Sequence, residues 1–102
     1  MSKDALLLLP MDFSEYAWEV EEKGCFSGAK INYGNKIYQV NFYDPARLQQ
    51  EIVGRVAEEG VFLEPNLIVI SSVTKVKMEA AVAQFINTGM MDCLCEENSA
   101  VK

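Results

Sequence analysis

The chain has 102 residues, half of them apolar, and fifteen Asp and Glu against nine Lys and Arg give it a net charge of −6 with no histidine at all. A field of that sign repels nucleic-acid phosphates and anionic membrane surfaces, and the missing imidazole removes the commonest general base and the commonest zinc ligand together. A chain of this length suits a single domain over residues 1–102, with a core large enough to fold without disulfide or metal staples.

The first element is an apolar run over residues 5–9, Ala-Leu-Leu-Leu-Leu, closed by Pro10. It is too short for a signal-peptide core and is preceded by Asp4 rather than a basic stretch, so it reads as a strand, apolar on both faces and central in a sheet. With no targeting signal and an odd count of three cysteines, a reducing cytoplasm is the expected setting.

Next, Phe13, Tyr16, Ala17 and Val20 fall at the i, i+3, i+4, i+7 spacing of a helix, with Asp12 or Ser14 as its cap. The outer side of this stretch is acidic. Glu15, Glu19, Glu21 and Glu22 surround Trp18 and Tyr16, an aromatic pair inside negative charge that would suit docking of a basic protein. A solvated helix face is the plainer reading of the same residues.

Residues 27–43 are two alternating runs joined by Gly34-Asn35, a dipeptide suited to a two-residue hairpin turn. That loop sets the register: Tyr33 opposite Lys36, Ile31 opposite Tyr38, Ala29 opposite Val40 and Ser27 opposite Phe42. One face of the hairpin is apolar and the other mostly polar.

At Tyr-Asp-Pro-Ala-Arg-Leu the period changes to helical. Asp44 can cap, Pro45 occupies the first turn, and Leu48, Ile52, Val53 and Val56 share one face before Gly60 stops the helix. Residues 67–70 make a short apolar strand, expected to be central in the sheet. From Thr74 a further helix buries Met78, Ala81, Val82, Phe85 and Ile86 and ends at Gly89. Residues 90–95 leave room for a last strand, at the sheet's edge, and 97–102 form a polar tail expected to fray.

The expected fold is α+β: a two-layer α/β sandwich with a mixed sheet, in which the hairpin is followed by strand, helix, strand, helix and strand. Right-handed crossovers in a sheet that advances one way would lay both helices on the hairpin's apolar face.

Two further clusters could carry chemistry. The two strand-to-helix junctions would bring Arg47, Ser71, Ser72, Thr74, Lys75 and Lys77 to one rim, where helix N-termini favour anions. Neither junction is glycine-rich, and ordinary caps with solvated lysines account for the same residues. The thiols Cys25, Cys93 and Cys95, with Met90 and Met91 beside the last two, suit a soft metal in kind but not in number, since a structural zinc site takes four ligands. No cofactor is expected, and the cysteine pair reads more simply as small apolar residues of a strand.

No nucleophile motif, carboxylate pair or dinucleotide signature is present, which favours binding over catalysis. The leading expectation is a small acidic cytoplasmic module that binds another protein, of the inhibitor or immunity kind, with no nucleic-acid or membrane partner. An open strand edge would also permit a homodimer. The alternative is an anion-binding or enzymatic domain that uses the rim of Arg47, Ser71, Ser72, Thr74 and Lys75.

Overall fold

A computed structural model describes residues 5–96. The order is β1 (Ala5–Leu8), α1 (Phe13–Lys23), β2 (Cys25–Tyr33), β3 (Lys36–Tyr43), α2 (Pro45–Glu59), β4 (Leu67–Val69), α3 (Lys75–Thr88) and a 3₁₀ turn at Met90–Cys93. The four strands make one mixed sheet in sequence order, with β1–β2 and β2–β3 antiparallel and β3–β4 parallel. The fold is thus the α+β class with a mixed sheet that the patterning implies. The fraying expected of 97–102 lies outside the described residues.

The hairpin register follows from its turn. Tyr33 opposes Lys36, Ile31 opposes Tyr38 and Ala29 opposes Val40. Beyond Ala29 the register shifts, and Phe26 rather than Ser27 meets Phe42. Ser27 and Gly28 together face Asn41 across this bulge. A Cβ on Gly28 would come within 2.9 Å of the Phe26 ring, so glycine is what lets that ring fold over the strand.

Alternation then fixes the core. Ala29, Ile31, Val40 and Phe42 are fully buried on one face, and Phe13 and Val20 of α1 and Met78, Ala81 and Val82 of α3 close over them. Val73, in the turn before α3, is fully buried as well. Each of the larger side chains, Val, Ile, Met and Phe, stabilises the fold by roughly 1.5–3 kcal/mol relative to an exposed one. The second face of β3 carries Ile37, Gln39 and Asn41 and stays partly wet.

Four expectations need correction. Neither the first strand nor the strand expected over 67–70 is central: among the described residues β1 pairs only with β2 and β4 only with β3, so both are edges. In β1, Ala5 and Leu7 pack against the core and α3 lies beside the strand, while Leu6 is 59% exposed, so its apolar run is covered on one face alone.

The last strand does not form. After Gly89 turns left-handed (φ 73°), residues 90–93 make a 3₁₀ turn, with Met91 buried and Leu94 packed on the core. Alternating side chains in so short a run suit a strand, but the left-handed residue Gly89 leads the chain into a 3₁₀ turn, and the run pairs with neither edge of the sheet.

The largest departure is α2. It buries none of its residues and supplies no member of the core or of its partly buried surround. The helix therefore does not lie on the hairpin's apolar face. Tyr43 explains what holds it instead. This residue is buried yet stands outside the core cluster, and it gathers the polar side of α2 and the chain that follows.

Candidate functional site

The acidic face of α1 comes first. Gly24 ends the helix in a left-handed conformation and leads directly into β2. Within α1 the backbone departs from helical geometry at Tyr16 (φ −130°, ψ 21°). That residue turns inward, where its ring lies 5.6 Å from Phe13 and 6.5 Å from Phe26, centroid to centroid. Burial against these rings, and then the Asp12 carboxylate beside it, raise the Tyr16 hydroxyl above its ordinary pKa.

Trp18 points elsewhere. At 3.6 residues per turn it lies about 200° around the helix from Tyr16, and it is 64% exposed. Glu15, Glu19, Glu21 and Glu22 are exposed with it, and none of the four forms an ion pair with a described residue. The structure therefore divides the expected aromatic pair: Tyr16 is a strut of the core's rim, while Trp18 alone projects among the carboxylates.

The anion rim is only partly assembled. Because β3 and β4 are parallel neighbours, their C-terminal ends lie at the same edge, and Ile70 N–H donates to the Tyr43 carbonyl there at 2.9 Å. The polar groups are engaged locally, however. Asp44 accepts from Arg47 N at 2.7 Å and Thr74 Oγ1 accepts from Lys77 N at 3.2 Å, so both serve as N-caps. The Arg47 guanidinium donates to Glu51 at 2.9 Å along α2. Its Nε is buried without a hydrogen-bond partner among the described residues. Ser71 is exposed and Ser72 half-buried, while Lys75 and Lys77 stand in solvent. Lys75 instead helps line a hollow of about 500 Å³ against Leu9, Pro10, Met11 and Ser14. Lysine there opposes the helix dipole only weakly in water.

The thiols are not gathered. Cys25 opens β2, half-buried, whereas Cys93 and Cys95 lie exposed at the far end of the chain, and all three are free. Among the described residues no group of three or more Cys, Asp or Glu is arranged to hold a metal ion. Cys95 is positioned by its backbone: Asn66, at φ 51°, accepts from Cys95 N at 2.8 Å and donates to Cys95 O at 2.9 Å and to Gln39 O at 2.8 Å. The expected burial of Cys93 and Cys95 in a strand is thus replaced by exposure on a bracketed loop.

Sequence reasoning singled out no role for the polar row of α2. Arg47, Glu51 and Arg55 follow one another at i, i+4 spacing, with Arg55 Nε 3.6 Å from Glu51 and its guanidinium 5.5 Å above the Phe62 ring. Arg55, Glu64, Tyr43, Asn41 and Cys25 line a cavity of about 190 Å³. Burial, and then the hydrogen bond to Glu64, push the Tyr43 hydroxyl far above its ordinary pKa, so it stays protonated as a donor. The i, i+4 charge spacing was the signal for this row.

Comparison with protein-family models, curated proteins and solved structures finds no match. Among the described residues no helix is long and apolar enough to cross a membrane.

Proposed function

We propose that the protein is a non-catalytic interaction module that docks a basic protein partner on the outer face of α1. The observation that carries this reading is Trp18, 64% exposed and ringed by Glu15, Glu19, Glu21 and Glu22, none of them paired within the described chain. An exposed indole supplies a rigid anchor with large apolar area, and unpaired carboxylates around it accelerate encounter with positive charge and discriminate against acidic surfaces. The free cysteines fit work in a reducing cytoplasm.

The test is affinity capture from the cytosol of the source cells, with wild-type chain beside Trp18→Ala and a Glu15→Lys/Glu22→Lys double variant. A specific basic protein should be retained by the wild type, elute with salt and be lost from both variants while their far-UV circular dichroism stays unchanged. Equal retention by all three would sink the reading.

A further inference from the structure

Amphipathic helices of globular proteins turn their apolar stripe to the core and their charges to water. α2 does the reverse. Its row of Arg47, Glu51 and Arg55, with Leu48 beside it, is the half-buried side, turned towards Tyr43 and Glu64, and Glu51 pairs with both arginines along the helix. The opposite side carries Val53, 63% exposed, with Ile52 and Val56 also exposed. The chain leaving the helix adds Val61 and Leu63, the latter 86% exposed. Helices of about 15 residues are marginal alone in water and draw most of their stability from burying such a face.

Gly54 is a second, independent anomaly. A glycine in the middle of a helix costs about 1 kcal/mol relative to alanine. A Cβ at this position would meet nothing within 4 Å, and no positive φ requires glycine here. Nothing among the described residues explains it. With Ala46, Gln49, Gln50 and Val53 it lines an open concavity of about 530 Å³ that contains no charged side chain.

We infer that this face binds a second copy of the chain, α2 against α2 about a two-fold axis. Each copy has a net charge of −6, so contact between copies is opposed wherever carboxylates face one another, and the lining of this concavity carries none. A basic partner would find no carboxylate in it to pair with. A two-fold interface must be complementary to itself. The Gln49 and Gln50 amides meet that demand, since each carries both donors and an acceptor and can pair with its own kind, as a carboxylate or guanidinium cannot. Gly54 and Ala46 leave room for a neighbouring backbone. A helix of this length is about 22 Å long and about 10 Å across. Such a face offers on the order of a few hundred Å² per copy, at the small end of specific interfaces, so the dimer depends on concentration.

The experiment is sedimentation equilibrium of the full chain in physiological salt, from about 5 to about 500 µM, a range over which an interface of this size titrates. The expected result is a mean mass rising from the 11.4 kDa of one chain towards twice that value. Val53→Asp and Gly54→Leu should both hold the mass at one chain while far-UV circular dichroism and the melting midpoint of the dilute protein stay within a few degrees of wild type. The open space around Gly54 makes the leucine harmless to the protomer. Trp18→Ala should leave the mass curve unchanged, which separates this inference from the docking role of α1. A single-chain mass at every concentration overturns it, and so does a dimer that survives Val53→Asp and Gly54→Leu.

Discussion

The Tyr43 hydroxyl donates to Glu64 Oε1 at 2.7 Å, which ties the end of β3 to the chain that returns from α2 twenty-one residues later. Hydrogen bonds to charged acceptors are worth about 1.5–3 kcal/mol, and the buried phenol would leave Glu64 without this donor if removed. Tyr43→Phe should therefore lower unfolding free energy by about 1–2 kcal/mol, measured by urea titration with an unchanged slope.

The same group sets an alkaline limit. Its folded-state pKa is raised above the ordinary value of 10.0 by burial and by Glu64, so below pH 10 it contributes fully, and as pH rises beyond that value the unfolded chain loses the proton first. Stability should fall from about pH 10 upward. Tyr43→Phe should flatten that decline; a wild-type curve no steeper than that of the variant would remove Tyr43 as its cause.

Gly24 and Asp44 are tightly fitted. Gly24 has φ 77°, its carbonyl accepts from Asp44 N at 2.8 Å, and a Cβ there would lie 2.5 Å from Asp44 Oδ2. Gly24→Ala should cost at least 2 kcal/mol on an order-of-magnitude reckoning of left-handed strain plus collision. Asp44→Ala removes only the cap on Arg47 N, a loss of about 1 kcal/mol. Since α2 buries nothing, that loss should appear as faster hydrogen exchange confined to the first turns of α2, with little movement of the global melting midpoint.

Thiol reactivity reads the C-terminal loop. Two equivalents, Cys93 and Cys95, should react quickly with a thiol-disulfide reagent, and Cys25, half-buried beside Tyr43, more slowly. Three equal rates would contradict the placement. In Asn66→Ala the two hydrogen bonds to the Cys95 backbone are lost, and protection of the Cys95 amide should drop with them.

Much of this architecture is legible in the residues because it is local. The Gly34-Asn35 turn sets the pairing from Tyr33–Lys36 to Ala29–Val40, and Asp44, Thr74, Gly60 and Gly89 mark helix ends where caps are found. The slip at Ser27 was signalled only by Gly28, and a strand glycine does not say on which side of it the extra residue falls. The run Met90 to Cys95 alternates as a strand does, but alternation does not say whether the turn at Gly89 carries the run alongside a sheet edge. For α2 the period identified the apolar stripe of Leu48, Ile52, Val53 and Val56 and left the charged row of Arg47, Glu51 and Arg55 unread. It is silent about which of them faces inward, because that depends on Tyr43 and Glu64, distant in the chain. The acidic surface was visible as composition, while the separation of Tyr16 from Trp18 needed the helix phase and the backbone turn at Tyr16.

The bypassing of the core by α2 has a consequence for how the sequence is free to vary. Residues whose side chains fill the interior are constrained by the volume they must occupy, and exchange only for others of similar size. Ile52, Val53 and Val56 answer to no such volume, and lysine or glutamate at those positions would leave the interior intact. Solubility alone would favour that exchange in a monomer. Branched aliphatic residues on a side that the fold leaves unconstrained cost the free protomer solubility, and the proposed contact between copies removes that cost by covering them.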